Sequence, residues 1–433
     1  MGTVRRTGLI KSITSLLNFR LDKLISNLFV PMWDIFGNKE AFICEDKRVT
    51  YKEYMEKVFR IANGLHDLGV TKEDTVEVIA YNTIEHAELW FGAWFAGCTL
   101  VSMSWHEKGE TFLSMVARRE PKVLIFEDEF IDRINPIKDK LRSVEHYIVI
   151  GEKVPEGMIS FEDFLANSSS EQPKYDFRLG ISVNTSGTTG TPKGVRQYEA
   201  ADNLLFNIGS LPPGAKSIKD ILKYAIYLSA YGYYFGGGVK MKALGVVPLF
   251  TGTGIYSSLV LFLPYGTPCV FMREFDPEEV LKLIEKEKIT FTILVPTMSY
   301  RILMLPDEVK RKYDLSSMRS VTSVSAPFYP EIKRGINELF IKQGCGGPVV
   351  HEFYAPVEAM NPITVLQPKD YLEKPKRIES VGKSGRMGDT RIVDEEGKIC
   401  PPNKEGYVYV RTIGSLYISK LYDPRTTEER PQT

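Results

Sequence analysis

The sequence predicts an α/β fold built around parallel sheets, and three features of its pattern lead to this class. Strand-like and helix-like segments alternate along most of the chain. The strand-like segments are short and almost wholly apolar, as in KVLIF at 122–126. Such alternation indicates βαβ units whose parallel sheets are covered on both faces. From about Val381, the alternation of strands and helices gives way to short strands joined by Gly and Asp turns. We therefore predict two βαβ parallel-sheet subdomains and a small C-terminal β subdomain.

The first series of elements is identified from the spacing of apolar residues. Apolar residues recur at helical spacing in 51–68, and Gly69 follows where a glycine commonly ends a helix. The segment 84–96 is largely apolar and is closed in the same way by Gly97. In chain order we predict strands 41–44 and 48–50, helix 51–68, strand 75–80, helix 84–96, strand 99–103, helix 110–118 and strand 122–126.

The alternation resumes after the middle of the chain. The uncharged stretch 243–272 is long enough to cross a bilayer, but its Pro, Gly and Thr residues divide it into short pieces. We expect a strand, a helix and a strand there. The remaining predicted elements are strand 181–183, helix 277–287, strand 290–295, helix 297–305, strand 320–324 and the antiparallel segments 390–394, 397–398 and 406–411.

Residues 1–35 are predicted to form an amphipathic N-terminal helix. Apolar residues recur along this segment at helical spacing, with Arg20 and Lys23 between them. A helix packed on its own domain is favoured over one that lies on a membrane surface. A signal peptide is excluded because Lys11 interrupts the apolar run and no small-residue cleavage site follows. Residues 36–433 are predicted to form one large domain.

The composition argues against several classes of function. The 55 Lys and Arg residues balance the 55 Asp and Glu residues, so the whole chain has no electrostatic reason to bind nucleic acid or an anionic membrane. The five cysteines and five histidines are scattered, without CxxC or HExxH spacing. This distribution argues against a disulfide framework and against a zinc site. A reducing cytoplasm is the compartment that fits these cysteines.

The segment after strand 181–183 carries the strongest chemical signal, and it reads NTSGTTGTPKG over residues 184–194. Glycines free backbone amides to point inward, hydroxyls donate hydrogen bonds, and one lysine neutralises charge, so the loop is suited to wrap phosphate. A Walker A loop is excluded, because it would need Gly at Pro192 and Ser or Thr at Gly194. The alternative is a flexible surface loop of the same composition.

The string TSGTTGTPKG resembles the phosphate loop of the adenylate-forming superfamily, which includes acyl-CoA synthetases, nonribosomal peptide synthetase adenylation domains and firefly luciferase. The resemblance extends from about residue 35 to the end of the sequence. Further similar segments are AFICEDKRVTY at 41–51, Asn82, VPLF at 247–250, VPT at 295–297, SAP at 325–327, EFYAPVE at 352–358, VGK at 381–383 and KEGY at 404–407. The lead-in at 352–354 is similar to that of fatty acyl and very-long-chain acyl-CoA synthetases. The implied fold is the α/β large N-terminal domain of an adenylate-forming enzyme.

The resemblance also implies ligands and residue roles. ATP, Mg²⁺ and CoA are the expected ligands, and Lys193, Thr188 and Glu358 the expected catalytic residues. Tyr354 would stack on adenine, while Glu358, with Thr185 as a second contact, would hold the Mg²⁺ that bridges the phosphates. The expected nucleotide-binding residues are Thr185, Ser186, Gly187, Thr188, Thr189, Gly190, Thr191, Pro192, Lys193, Ser325, Ala326, Pro327, Glu352, Phe353, Tyr354 and Val357. Adenylation depends mainly on positioning and on neutralising phosphate charge, which a Lys-bearing loop and a bound metal would supply.

Some positions depart from the superfamily's pattern. Thr251 stands where a His usually follows Pro-Leu-Phe, so a ring that commonly borders the carboxylate site is missing. Val357 replaces a Thr whose hydroxyl would bond the α-phosphate, and loss of one such donor can cost about 2 to 4 kcal/mol. Val324 and Ser325 replace two glycines of the adenine turn, and Glu199 stands where many members have His.

The sequence predicts the large domain of an AMP-forming carboxylate:CoA ligase, most similar to the fatty acyl type. The superfamily's small C-terminal domain with its catalytic Lys is not found in the sequence, so a separate polypeptide that supplies it is one possible partner. The uncharged stretch 256–263 is a candidate wall of an acyl pocket, with plain core as the alternative. The other functions considered are a non-catalytic nucleotide- or acyl-binding homologue, one half of a split ligase, and activation of an aryl or amino acid. The expected partners are small molecules, with no transmembrane segment.

Overall fold

The computed structural model describes residues 36–174, 180–185, 193–197, 241–260, 263, 266–355, 363–384, 388–412 and 420–421. The predicted N-terminal helix at 1–35 lies outside these residues. The mixed α/β class with parallel sheets is confirmed. Two units are present: unit 1 takes its described residues from Met1–Phe206, Pro248–Arg273 and Lys420–Pro431, and unit 2 from Asn207–Val247 and Glu274–Ser419.

The described strands are β1 Glu40–Cys44, β2 Lys47–Thr50, β3 Thr75–Ile79, β4 Thr99–Ser102, β5 Val123–Glu127, β6 His146–Ile150, β7 Ile159–Ser160, β8 Gly180–Thr185, β9 Lys193–Gln197, β10 Ala243–Gly245, β11 Cys269–Phe271, β12 Phe291–Ile293, β13 Ser320–Ser323, β14 Val350–Tyr354, β15 Thr364–Leu366, β16 Lys383–Ser384, β17 Gly388–Val393, β18 Tyr407–Thr412 and β19 Lys420–Leu421.

The described α-helices are α1 Tyr51–Asp67, α2 Ile84–Ala96, α3 Gly109–Arg119, α4 Ile131–Ile134, α5 Phe161–Ala166, α6 Gly252–Ile255, α7 Pro277–Glu287, α8 Pro296–Leu303, α9 Asp307–Lys310, α10 Pro330–Lys342 and α11 Pro368–Glu373. Short 3₁₀ turns occur at Asp128–Phe130, Asn135–Lys140 and Pro375–Glu379, and a π-helical turn at Tyr256–Val260. The strand, helix and strand predicted within 243–272 are thus confirmed as β10, α6 and β11.

Unit 1 contains a sheet of order β19-β9-β8-β4-β3-β5-β6-β7, in which the strands from β8 to β7 are parallel. Strands β9 and β19 continue it antiparallel beyond β8. A second group of three strands pairs β1 parallel with β11 and antiparallel with β2. Both arrangements need helices on their faces, because buried parallel strands are apolar on both sides.

Helices α1 and α2 pack against each other in unit 1. A capping box between Thr50 and Glu53 starts α1, and Gly97, with φ of 74°, ends α2 as predicted. Every residue of α2 except Glu85 is buried, as expected for a helix that is apolar on all sides. A Cβ atom at Gly92 would lie 2.3 Å from Cγ2 of Ile61, so this close approach of α1 and α2 depends on the glycine.

Unit 2 contains strands in the order β16-β15-β14-β13-β12-β10, of which β10, β12, β13 and β14 are parallel. Strands β15 and β16 are antiparallel additions beside β14. A separate antiparallel pair, β17 and β18, follows toward the C-terminal end. Because the parallel strands share one direction, their carboxyl ends lie at one edge, where open α/β sheets bind ligands.

All five cysteines lie in the described part of the chain and form no disulfide bond there, and four of them are buried. Among the described residues, no helix combines the length and the apolar character needed to cross a membrane.

Candidate nucleotide site

The predicted phosphate loop is anchored by two strands of unit 1. Strand β8 runs parallel to β4 and ends at Thr185, while β9 begins at Lys193 and runs antiparallel to β8. Thr185 and Lys193 face each other in register. The chain therefore leaves the sheet at the carboxyl end of a parallel strand and returns directly beside it, a geometry that favours ligand binding. The residues predicted between these anchors, Ser186, Gly187, Thr188, Thr189, Gly190, Thr191 and Pro192, lie outside the described residues, as does Glu199.

The predicted adenine turn follows β13 in unit 2. Ser325, Ala326 and Pro327 are exposed at the carboxyl end of this strand. Ser325 has φ of 80°, a left-handed conformation that a non-glycine residue rarely adopts. The turn thus keeps a glycine-type backbone at the position where the resemblance predicts glycine, although it carries a serine. Backbone strain of this kind is concentrated at ligand and active sites.

Tyr354 lies at the same edge of the sheet as this turn. Strand β14 is parallel to β13, with Glu352 in register with Ser323. Tyr354 ends β14 and is 42% exposed, so its ring is accessible for stacking. Phe353 is half-buried. The structure therefore brings the predicted turn and the predicted aromatic residue to one edge, whereas Val357 and Glu358 lie outside the described residues.

Glu352 is placed differently from the other predicted site residues, because its side chain is buried. Its carboxylate pairs with Lys333 on α10 and accepts a hydrogen bond from the backbone N–H of Phe328. Burial raises the pKa of Glu352, and the Lys333 ammonium offsets this only in part. The Glu352 carboxylate is therefore directed to Lys333 and Phe328, whereas the Tyr354 side chain is exposed.

Of the two residues predicted to hold Mg²⁺, the structure describes one. Thr185 lies at the end of β8, and Glu358 lies outside the described residues. A hydroxyl and a carboxylate are oxygen ligands, the kind that Mg²⁺ prefers. Within the described part of the chain, no group of three or more His, Cys, Asp and Glu residues could hold a metal ion. The Mg²⁺ site stays a prediction.

The segment after β10 is held in unit 1 by hydrogen bonds to Asn82 and within its own turn. The Leu249 N–H donates to Oδ1 of Asn82 at 2.8 Å. The Thr251 hydroxyl accepts from the Gly254 N–H at 3.0 Å and donates to the Pro248 carbonyl at 2.7 Å. Thr251 is therefore the N-cap of α6, which gives a structural reason for Thr at the position where the resemblance predicts His.

A second buried glutamate was missed by the sequence analysis. Glu127 ends β5 in unit 1 and accepts a hydrogen bond from the backbone N–H of Tyr81 at 2.6 Å. Arg273 bonds Glu127 and the exposed Glu129, each at 2.8 Å, and lies over the Tyr81 ring. Burial raises the pKa of Glu127. The only sequence signal was a carboxylate at the end of an apolar strand.

The candidate acyl wall begins with a π-helical turn, a feature that often marks functional sites. Leu259, Val260 and Leu263 are buried. The hydroxyls of Tyr256 and Ser258 are also buried, and neither has a hydrogen-bond partner in the described part of the chain. Burial raises the pKa of Tyr256. This wall therefore combines apolar side chains with two polar groups.

Residues 33–417 match the family described as AMP-binding enzyme. Similar proteins include an indoleacetate–CoA ligase of Aromatoleum aromaticum, 28% identical over 86% of this chain and 67% of that protein. A long-chain-fatty-acid–CoA ligase of Thermus thermophilus is 25% identical over 90% of this chain and 70% of that protein. A 4-coumarate–CoA ligase of Solanum tuberosum is 26% identical, over 90% and 68% respectively. The chain thus spans about two thirds of the length of these relatives.

Solved structures show the same fold. The anthranilate CoA ligase AuaEII, in complex with anthranoyl-AMP, has a TM-score of 0.74 and 21% identity, covering 91% of this chain and 70% of that one. The amide bond synthetase McbA from Marinactinospora thermotolerans has a TM-score of 0.71 and 23% identity, covering 89% and 71%.

Proposed function

The chain belongs to the family of AMP-binding enzymes, and from this premise we propose that it carries the adenylating part of an AMP-forming acid:CoA ligase whose acid is a fatty acid. The observation that carries this proposal is the edge of unit 2, where the exposed Tyr354 ring lies beside the strained turn at Ser325. An accessible aromatic face next to an open backbone turn is suited to a purine base.

The reaction has two steps. In the first, a carboxylate oxygen of the acid attacks the α-phosphorus of ATP, the bond to the β-phosphate breaks, and pyrophosphate leaves with its electron pair. In the second, the CoA thiolate attacks the acyl carbonyl and AMP leaves. We assign Lys193 and the backbone amides of the loop between β8 and β9 to the phosphates, since the first step is limited by phosphate charge and alignment.

Thr188 and Glu358 complete the proposed catalytic set. The Thr188 hydroxyl would donate to a phosphate oxygen, and Glu358 with Thr185 would hold Mg²⁺. When bound, Mg²⁺ would neutralise the phosphate charge. The groups that this chain itself supplies are the lysine, the loop hydroxyls and amides, and the aromatic face of Tyr354.

The choice of a fatty acid rests on the lead-in at 352–354 and on the buried apolar side chains of the candidate wall. The relatives differ in the acids that they are named for: indoleacetate, long-chain fatty acids and 4-coumarate. A second candidate is an aryl acid with a polar substituent. The buried hydroxyls of Tyr256 and Ser258 favour it, because they have no hydrogen-bond partner among the described residues and a saturated chain would offer them none.

The experiment is pyrophosphate release by the purified chain with ATP, Mg²⁺ and a panel of short- to long-chain fatty acids and aryl acids. Lys193→Ala removes the loop lysine. Lys282→Ala is a matched control on the exposed face of α7. We expect release with the wild type and the control, strongest with a fatty acid, and a loss of about a hundredfold in Lys193→Ala.

Each other outcome has a defined meaning. Release with aryl acids alone would replace the fatty acid by the second candidate. ATP binding without release for any acid would contradict adenylation by this chain and favour a non-catalytic nucleotide-binding homologue.

A further inference from the structure

Lys333 occupies an unusual position in unit 2, because its ammonium group is enclosed. It lies on α10 and is 1% exposed. Its Nζ pairs with the Glu352 carboxylate and donates to the carbonyls of Ile378 at 2.8 Å and Ser380 at 3.1 Å. An ammonium has three N–H donors, and these acceptors match all of them. Lys333 therefore joins α10 to β14 and, through Ile378 and Ser380, to the 3₁₀ turn at Pro375–Glu379 and the residue that follows it.

The enclosed lysine is connected to the adenine turn by two contacts. Glu352, its carboxylate partner, accepts the backbone N–H of Phe328, the residue that directly follows Ser325, Ala326 and Pro327. The Lys333 ammonium also lies 5.9 Å from the centre of the Phe328 ring. Phe328 is buried, whereas the preceding turn residues are exposed. The inner end of the turn is thus held by the Lys333–Glu352 pair.

An apolar pair would fill the same space with less cost of desolvation. Buried ion pairs contribute little net stability compared with well-packed apolar side chains, and the best-attested reason to retain one is that it specifies a single geometry. Here the geometry specified is that of β14 relative to the turn, and both end at the edge where Tyr354 is exposed.

We propose that Lys333 is a positioning residue for nucleotide binding: through Glu352 it holds the adenine turn and Tyr354 in the arrangement that accepts the base. The proposal rests on the function proposed above, and it adds a residue that does not itself touch the nucleotide. Removing the ammonium frees the carboxylate to rotate or protonate, so the Phe328 N–H loses its fixed acceptor and the turn its anchor.

The test is calorimetric titration of each variant with ATP and Mg²⁺, followed by Michaelis constants for ATP and for the acid. Lys333→Met removes the charge at similar length. The double variant Lys333→Met with Glu352→Gln restores a neutral acceptor for Phe328 without a buried charge. The control is Lys242→Met, which breaks a 3.0 Å pair with the buried Glu287 at the amino-terminal edge of the same strands.

We expect Lys333→Met to weaken ATP binding about tenfold or more, with the Michaelis constant for the acid unchanged. The double variant should recover to within about threefold of the wild type, and Lys242→Met should bind ATP like the wild type. The thermal unfolding of each variant is measured first, and the titrations are run at a temperature at which all variants are folded. A lower affinity then cannot result from unfolding.

Three results would overturn the inference. These are unchanged ATP binding in Lys333→Met, no recovery in the double variant, or equal weakening in Lys242→Met. If the wild type binds ATP and Lys333→Met does not, but no acid gives pyrophosphate, the inference stands and the ligase function fails. If the wild type itself binds no ATP, both fail.

Discussion

Both units place a buried glutamate at the carboxyl edge of a parallel sheet, yet they hold it in different ways. In unit 1, Glu127 accepts the Tyr81 N–H and pairs with Arg273, whose side chain is 28% exposed and also bonds the exposed Glu129. In unit 2, Glu352 accepts the Phe328 N–H and pairs with Lys333, which is 1% exposed.

The difference lies in what surrounds the cation. Arg273 shares its charge with a carboxylate in solvent, so part of its interaction is screened by salt. Lys333 is itself buried, and two of its three acceptors, the Glu352 carboxylate and the Ile378 carbonyl, belong to buried residues, whereas Ser380 is exposed. The same arrangement of glutamate, backbone N–H and cation is therefore partly open to solvent in unit 1 and largely buried in unit 2, where we propose that it holds the adenine turn.

The largest expected effect is on the free energy of unfolding when Lys333 or Arg273 is replaced by an uncharged residue. Lys333→Met leaves Glu352 buried and unpaired, which should cost about 3 to 5 kcal/mol of the free energy of unfolding. Arg273→Met should cost about 1 to 2 kcal/mol, because solvent reaches Glu127 once the arginine is lost. Urea unfolding followed by circular dichroism measures both. Equal losses would contradict the comparison.

Tryptophan fluorescence sharpens the same test. The four tryptophans of the sequence all fall in the residue ranges of unit 1. Arg273→Met should shift the fluorescence transition, whereas Lys333→Met should shift circular dichroism more than fluorescence, since each unit has its own core. A fluorescence shift in Lys333→Met as large as the dichroism shift would show that the units unfold together.

On the alkaline side, unit 1 should lose stability because of Glu88. Burial on α2 raises the pKa of Glu88 to about 8 from 4.5, although Lys57 lies 3.5 Å away. The folded state then holds a proton that the unfolded state has released, so stability falls as pH rises from about 4.5 through 8. In Glu88→Gln, this fall in the free energy of unfolding should be smaller by on the order of a few kcal/mol.

The control for this pH profile is Glu56→Gln, an exposed glutamate of α1. It should follow the wild type in urea unfolding across the same pH range. A wild-type slope that persists in Glu88→Gln would show that Glu88 is not the group responsible.

On the acid side, the two units should behave alike. Burial lowers the pKa of His86 in unit 1 and of His351 in unit 2 to about 4 from 6.5. The unfolded state binds the proton first, so stability falls as pH decreases from about 6.5 to 4. His86→Gln and His351→Gln should each remove about 2 to 3 kcal/mol of this loss, measured by unfolding at both ends of the range. An unchanged profile in either variant would exclude that histidine.

The smallest expected effect on stability comes from substituting two residues that have a left-handed backbone conformation. Ser325 in unit 2 has φ of 80°, and Gly97 in unit 1 has φ of 74°. Ser325→Gly should stabilise the protein by up to about 1 kcal/mol, while Gly97→Ala should destabilise it by about 1 kcal/mol. Thermal unfolding measures both. A loss of stability in Ser325→Gly would mean that the serine side chain contributes more than its backbone strain costs.

The sequence was most informative where the signal is local. Helices α1 and α2 follow from apolar spacing and from Gly69 and Gly97, whose left-handed conformations act within one helical turn. The loop between β8 and β9 and the residue Tyr354 were located by their own sequence strings. These features need no knowledge of which strands pair.

The ion pairs beneath the site could not be predicted, because topology brings their partners together. Lys333 reaches Glu352 only once α10 packs beside β14, and Arg273 reaches Glu127 only once β5 is in place. One signal was present for Lys333: it shares a helix face with the buried residues Ile336 and Phe340. A lysine at such a spacing indicates a buried partner.

The most direct test of the account is acid-dependent exchange of radiolabelled pyrophosphate into ATP by the purified chain. Exchange requires adenylation of the acid and its reversal, and it does not require CoA. We predict exchange with a fatty acid that is lost in Lys193→Ala and needs a higher ATP concentration in Lys333→Met. Exchange that is absent with every acid, while ATP still binds, would contradict the proposal that this chain adenylates a carboxylate.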